Sequence, residues 1–529
     1  MTLGRAVVTI GGLTMLSRVA GFIRDFLIAR LLGAGPVADA FFIAFKLPNF
    51  FRRLFAEGAF NFAFVPIFAG TMEKDGPEAA RDFAERAQAL LMAFLLPFTV
   101  LCIVAMSYVV LALAPGTPHD KPQVYMLAVE YSRITFAYIL FISLASLLSG
   151  VLNTLGKFAA PAASPILLNF SLISATVAGF MWRERAGELQ AWGVFVAGIL
   201  QYLLVAYAAA RAGVFVRPAL PRWSPRMKRL MILIVPAAIG SGAQQVNAML
   251  DVVWASFLPQ GSISYLYYAD RINQLPLGVV GVAIATALLP LLARQIKAGA
   301  LDAAMSNQNR AIEFALLLTL PATAGLIALH EPIVRALFAY GAFDETTAVA
   351  VADALAAFAF GLPAFVLVKV FAPGFYARED TRTPLYIALA TIAVNTALNA
   401  ILIWKLRHVG IAASASLAGW FNALTMAIVL HRRGFLAIDA QLRRRGPRLA
   451  LAAIVLGVAL ALAGAQLAPW FRAEAIARVG MLALLLAGAL ALYFGLSIAL
   501  GAFNLPDLRR ALTRVPRRKG ETPLPTDSV

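Results

Sequence analysis

The chain has 529 residues, of which 61% are hydrophobic and 14% charged, with a mean hydropathy of +0.79. A soluble domain carries about 25% charged residues, so this composition excludes an ordinary soluble globule and describes a polytopic membrane protein. The net charge of +18 would suggest nucleic acid on a soluble chain; here it reads as basic loops between spans, and no nucleic-acid partner is expected.

A bilayer-crossing helix needs about 20 apolar residues. That ruler predicts about fourteen spans. The first two cover 6–33 and 38–69, and the polar loop EKDGPEAARDFAER follows. Four more lie at 87–114, 125–152, 160–182 and 190–211, before the basic linker 216–229. Spans seven to twelve lie at 230–258, 264–293, 310–338, 347–375, 384–404 and 410–430. A second basic linker, 432–448, precedes the last two, 449–468 and 477–501. The first segment is broken by Arg18, Arg24 and Asp25, so it does not read as a cleavable signal peptide. The lone cysteine, Cys102, allows no internal disulfide, and four scattered histidines argue against a histidine metal centre.

Lys and Arg collect in alternate loops: Arg217 to Arg229, Arg294 and Lys297, Arg378 and Arg382, Arg432 to Arg448, and the tail. These should face the cytoplasm, which puts both termini there. An internal repeat is also legible. NFAFVPIFAG at Pro66 returns as ATALLPLLAR at Pro290, and the segments ending at Pro161 and Pro384 match at nearly the same spacing. The fold class expected is therefore all-α: two six-helix lobes in parallel repeat, 1–215 and 230–431, with the helices of 449–501 appended and 502–529 as a tail.

The charges at membrane depth carry the chemistry. Each costs roughly 2.5–3.5 kcal/mol on insertion scales, so a cluster of them implies a wet cavity. Ser17 and Arg24 are seven apart and share one helix face; Arg18 and Asp25 share the neighbouring one. Asp39, Lys46 and Arg53 form a stripe on the second helix. Pro48 frees a backbone carbonyl there, with Asn49 and Arg52 in the next turn. Arg30, Arg53 and Glu57 read as snorkelling or paired groups, Arg53 with Glu57 at i, i+4. Arg18, Arg24 and Arg52 outnumber the nearby acids, and a guanidinium fork suits a diphosphate. Arg271, in YLYYADRINQLP, is a candidate fourth cation. Asp251 is a lone acid on a span made polar by Gln244, Gln245 and Asn247; it either pairs with a cavity arginine or holds a cation with Asp380, Asn395 or Thr396. There is no P-loop and no catalytic constellation, so the chain reads as a transporter and not an enzyme.

The run SRVAGFIRDFLIARLLGAGPVADAFFIAFKLPNFFRRLFAEGAF resembles the N-terminal signature of the MurJ/MviN lipid II flippase family. YYADRINQLPLGVVGVAIATALLPLLAR and VKVFAPGFYAREDTRTP resemble its later signatures. The resemblance covers nearly the whole chain. It implies the multidrug/oligosaccharidyl-lipid/polysaccharide exporter fold in the bacterial cytoplasmic (inner) membrane; nothing in the sequence demands more than a monomer. It implies that lipid II, the undecaprenyl-diphosphate-linked disaccharide-pentapeptide, is moved to the periplasmic leaflet by alternating access for peptidoglycan synthesis. It places the diphosphate on Arg18, Arg24, Arg52 and Arg271, with Ser17, Asp25, Asp39, Asn49 and Glu57 at neighbouring family positions. It implies no organic cofactor; Asp251, Asp380 and Thr396 would be the sodium-site positions. The last two helices would hold the lipid tail. The alternatives are a flippase for another undecaprenyl-linked glycan, and a drug/cation antiporter, which would need an acidic cavity.

Overall fold

The computed structural model describes residues 3–53, 60–214, 216, 217, 220, 223–472 and 474–502. The described residues hold helices and no strand. The first half contains α1 (Leu3–Leu32), α2 (Pro36–Phe51), α3 (Phe60–Val104), α4 (Met106–Leu113), α5 (Thr117–Asp120), α6 (Pro122–Phe136), α7 (Tyr138–Thr154), α8 (Ala159–Met181) and α9 (Ala186–Arg211). The second contains α10 (Pro225–Ser256), α11 (Ser262–Lys297), α12 (Leu301–Ala328), α13 (His330–Phe338), α14 (Glu345–Tyr376) and α15 (Arg382–Arg432). α16 (Ala440–Gln466) and α17 (Ala475–Ala499) follow.

Nine helices among the described residues are long and apolar enough to cross a membrane. A long helix that folds back is counted once in that number. α3 and α15 each contain a non-helical residue, Gly76 and Arg407, where one long helix folds into two. α2, with only 16 residues, is too short to be among them.

Packing separates the chain into two groups. In the first half α1 lies on α8, α2 on α6, and α9 on α7 and α8. In the second α14 packs on α11, α12 and α15. Pro161 and Pro384, matched in the repeat, each stand third in their helices, α8 and α15, where a missing N–H costs nothing. One apolar core fills the first half and continues through the end of α10, the start of α11, α13 and the start of α14 into α16 and α17. A second runs from Val280 in α11 to Leu442 at the start of α16. α16 lies along α12, pinned by Arg445 donating to Glu313 at 2.6 Å and by an Arg310–Asp439 ion pair.

The halves are clasped where α10 turns into α11. Asp39 of α2 is buried and accepts from Gly261 N at 2.6 Å, Ser264 N at 2.9 Å and Ser264 Oγ at 2.6 Å. It therefore caps the N-terminus of α11 from the other half, where the helix dipole favours an anion. Lys121 does the converse: its Nζ donates to the carbonyls of Ser256 (2.6 Å) and Leu258 (2.5 Å) at the C-terminus of α10. Beside them Ala342 N donates to Arg30 O at 3.0 Å. Gly33 is in the left-handed region at φ +59°, and a Cβ there would lie 2.2 Å from Ala342 O. Only glycine permits so close an approach.

Candidate functional site

Between the halves lies a cavity of about 380 Å³. Its wall from α2 depends on Pro48. The proline leaves the Ala44 carbonyl without its helical donor, and Thr135 Oγ1 of α6 supplies one at 2.9 Å. Asn49 Nδ2 reaches back to Phe45 O at 2.8 Å. The helix thus survives its proline and turns Lys46, Asn49, Arg52 and Arg53 toward the cavity.

Asp25 is the hub on the opposite wall. Arg24 donates to its Oδ1 through Nη2 at 2.7 Å and Nε at 3.0 Å. Tyr267 Oη of α11 donates to the same oxygen at 3.1 Å, and Arg271 Nε lies 3.7 Å from Oδ2. Arg271 also lies over the Tyr267 ring, 4.7 Å from its centroid, and Tyr267 stacks on Phe42 at 3.8 Å. One carboxylate of the first half therefore orients a cation from each half. Asn169 of α8 completes the set, accepting from Arg24 Nη1 at 2.9 Å and donating to Ser17 O at 2.8 Å. The shared face of Ser17 and Arg24 is real, and Asn169 is what they share.

Arg24, Lys46, Arg52, Arg53 and Arg271 line the cavity, with Asp251 and Asp270 as its carboxylates, a surplus of three positive charges among the described residues. Lys46 is the electrostatic partner of both acids, across the boundary between the halves. Such a chamber, with fork donors and a cationic surplus, is built for a multiply charged anion.

A family model for the lipid II flippase MurJ matches residues 28–479. The chain belongs to that family. It is 44% identical to a probable lipid II flippase MurJ of Rhizobium meliloti (strain 1021), over 97% of each chain. It is 36% identical to the lipid II flippase MurJ of Burkholderia cenocepacia, over 96% of this chain and 99% of that one. The fold is shared with a solved lipid II flippase MurJ in an inward closed conformation: TM-score 0.78 at 24% identity, covering 95% of this chain and 100% of that one. An inward-facing multidrug transporter of the MATE family has the same architecture, with a TM-score of 0.69 at 15% identity.

Against the positions that resemblance to the MurJ family suggested, the structure divides the residues. Arg24, Arg52, Arg271 and Asn49 line the cavity, and Asp25 and Ser17 stand behind Arg24. Asp39 belongs to the clasp and does not line the cavity. Arg18 does not line it either; its guanidinium lies against Gly278. Glu57 lies outside the described residues. Arg53, read as a snorkelling group, lines the cavity instead.

Asp251, Asp380 and Thr396 do not come together as an ion site. Asp251 accepts from Asn395 Nδ2 at 3.1 Å, and the same amide also donates to Asn247 at 3.1 Å. Thr396, one residue on, points about 100° away round the helix. Asp380 caps the start of α15, accepting from Thr383 N at 3.0 Å and Oγ1 at 2.6 Å, and from Arg433 at 2.6 Å. The helix rise puts it roughly 20 Å from Asn395. Those hydrogen bonds hold its carboxyl down at about 2. Sequence spacing places Lys46 on the stripe with Asp39 and Arg53 but does not mark Asp270, Tyr267 or Asn169 as site residues. The signal available for Asn169 was a lone amide in an apolar span.

Proposed function

We propose that the chain moves lipid II from the cytoplasmic to the periplasmic leaflet of the bacterial inner membrane by alternating access. The observation that carries this reading is the cationic surplus of the chamber between the halves, in a chain of the lipid II flippase MurJ family. The diphosphate binds Arg24, Arg52 and Arg271, with Arg24 and Arg271 oriented by Asp25. The lipid tail stays in the bilayer along α16 and α17.

The end bearing Arg294, Lys297, Arg378 and Arg382 faces the cytoplasm, as do both termini. The clasp of Asp39 and Lys121 then closes the periplasmic side. Transport requires it to open while the other end shuts. The chain works as a monomer and catalyses no covalent step. A drug/cation antiporter would need the opposite charge in the chamber.

The test is complementation. In a bacterium depleted of its own lipid II flippase, the intact chain restores growth and periplasmic exposure of lipid II, and Arg24→Ala, at equal membrane abundance, does not. A well-expressed intact chain that restores neither would overturn the proposal.

A further inference from the structure

A second cavity, of about 190 Å³, opens between α13 and α16, away from the chamber. Its polar end is the start of α13, where His330, Glu331 and Arg335 line it; Ala461 and Ala465 of α16 form an apolar wall. α12 leads to this cavity from the basic end of the molecule. Its 28 residues rise roughly 42 Å, against about 30 Å of hydrocarbon. The cavity at its far end therefore stands at headgroup level, on the clasped side. Trp470 is exposed there, next to the lining residue Phe471, as interfacial tryptophans are.

Arg335 is only 8% exposed, yet its Nε has no hydrogen-bond partner among the described residues. Its Nη2 donates to Glu331 at 2.5 Å and pairs with Glu345. A buried guanidinium N–H without an acceptor is costly, and a ligand oxygen in the cavity would supply one. α13 also begins without a side-chain cap, which favours an anion at the same point. Two carboxylates face that one guanidinium, however, so a purely anionic ligand gains little. His330 Nδ1 donates to Ile327 O at 2.7 Å, which leaves Nε2 as an acceptor. The cavity thus offers a donor for a phosphate and acceptors for an ammonium. Its space is several times the roughly 30 Å³ share of a water. Ile454 and Val458 continue the stripe of Ala461 and Ala465 along α16 and are exposed, which leaves an apolar track for an acyl chain.

We propose that this cavity holds the headgroup of a phospholipid bearing both a phosphate and a primary ammonium, phosphatidylethanolamine, drawn from the leaflet on the clasped side. The phosphate accepts from Arg335 Nε, the ammonium donates to Glu331 and His330 Nε2, and an acyl chain lies along Ile454 and Val458. The occupant is a lipid of the bilayer and not the cargo, so the site stands apart from the transport reading. Seated between α13 and α16, it joins the appended helices to the second half at the end opposite the Arg310–Asp439 and Arg445–Glu313 pairs.

The test is native mass spectrometry of the full chain, with phosphatidylethanolamine and phosphatidylglycerol of the same acyl chains supplied in equal amounts. The parent should retain one phosphatidylethanolamine at least about fivefold over phosphatidylglycerol, which has no ammonium for Glu331. Arg335→Lys keeps a cation for Glu331 and Glu345 but removes the orphan donor; it should weaken retention about tenfold, the loss of one charge-assisted hydrogen bond. Ala465→Phe fills the cavity from an exposed position and should abolish the preference without touching the ion pairs. Its melting temperature without added lipid should match the parent, which separates occupancy from folding. Equal retention of the two lipids by the parent would overturn the headgroup assignment. Parent-like preference in both variants would overturn the site. Undecaprenyl diphosphate should not displace the lipid; displacement would assign the cavity to the cargo and overturn the proposal. A chain that fails to move lipid II yet keeps this pattern of retention would leave the site standing and overturn only the transport reading.

Discussion

The Asp39 carboxylate and the Gly261 amide are 222 residues apart in sequence and 2.6 Å apart in space. That one hydrogen bond, with its two companions at Ser264, makes the N-terminus of α11 dependent on a residue of the other half. Asp39→Asn keeps the shape and removes the charge. Charged hydrogen bonds contribute about 1.5–3 kcal/mol against about 1 for neutral ones, so the clasped state should lose roughly tenfold in population. Spin-label distances across the Gly33–Ala342 contact would report it; an unchanged distribution would count against the clasp.

Lys121 should act in the same direction and on the same step. Lys121→Met removes two donors from the C-terminus of α10 and should cost about 1–2 kcal/mol of the clasped state. The same distances measured in the single and double variants would show whether Asp39 and Lys121 act as one unit. Strict additivity would mean two independent contacts.

Asp25→Asn makes the chamber more positive yet should slow transport at least about tenfold, the equivalent of one charged hydrogen bond. The reason is aim: without the carboxylate, Arg24 and Arg271 are no longer oriented together. Flux of lipid II in proteoliposomes is the measurement. Faster transport would show that charge alone matters.

Asp380 offers a pH test outside the membrane spans. Its carboxyl is held at about 2, below the ordinary 3.8, by Thr383 and Arg433. A depressed value means the contribution is complete above pH 3.8 and disappears as pH falls through about 2. Asp380→Ala should therefore lower thermal stability at pH 7, with the cap worth about 1 kcal/mol. The difference from the parent should vanish toward pH 2. A gap that persists there would assign the effect to something other than the charge.

The sequence made the all-α membrane class, the cations of the chamber and the helix faces legible, because each is a local pattern. Seven-residue spacing placed Ser17 with Arg24, and Pro48 marked the carbonyl that Thr135 completes. What local spacing cannot reach is depth and partnership. Asp39, Lys46 and Arg53 form one stripe, yet two turns of rise put Asp39 at the clasp and the other two in the chamber. Asp251 and Asp380 are both acids beside polar segments, but one is met by Asn395 and the other by Arg433. Arg53 lines the chamber together with Lys46, seven residues before it and on the same stripe.

The ion pairs joining α12 to α16 give the appended helices a mechanical allegiance. α16 rests on α12, and α17 on α13 and α16, all on one side of the clasp. Under the proposed alternating access, this pair of helices would turn with the second half as a rudder turns with its post. A lipid chain lying along it would be swept relative to α1. Headgroup and tail would thus be steered by a single rotation, with no separate motion needed for the tail.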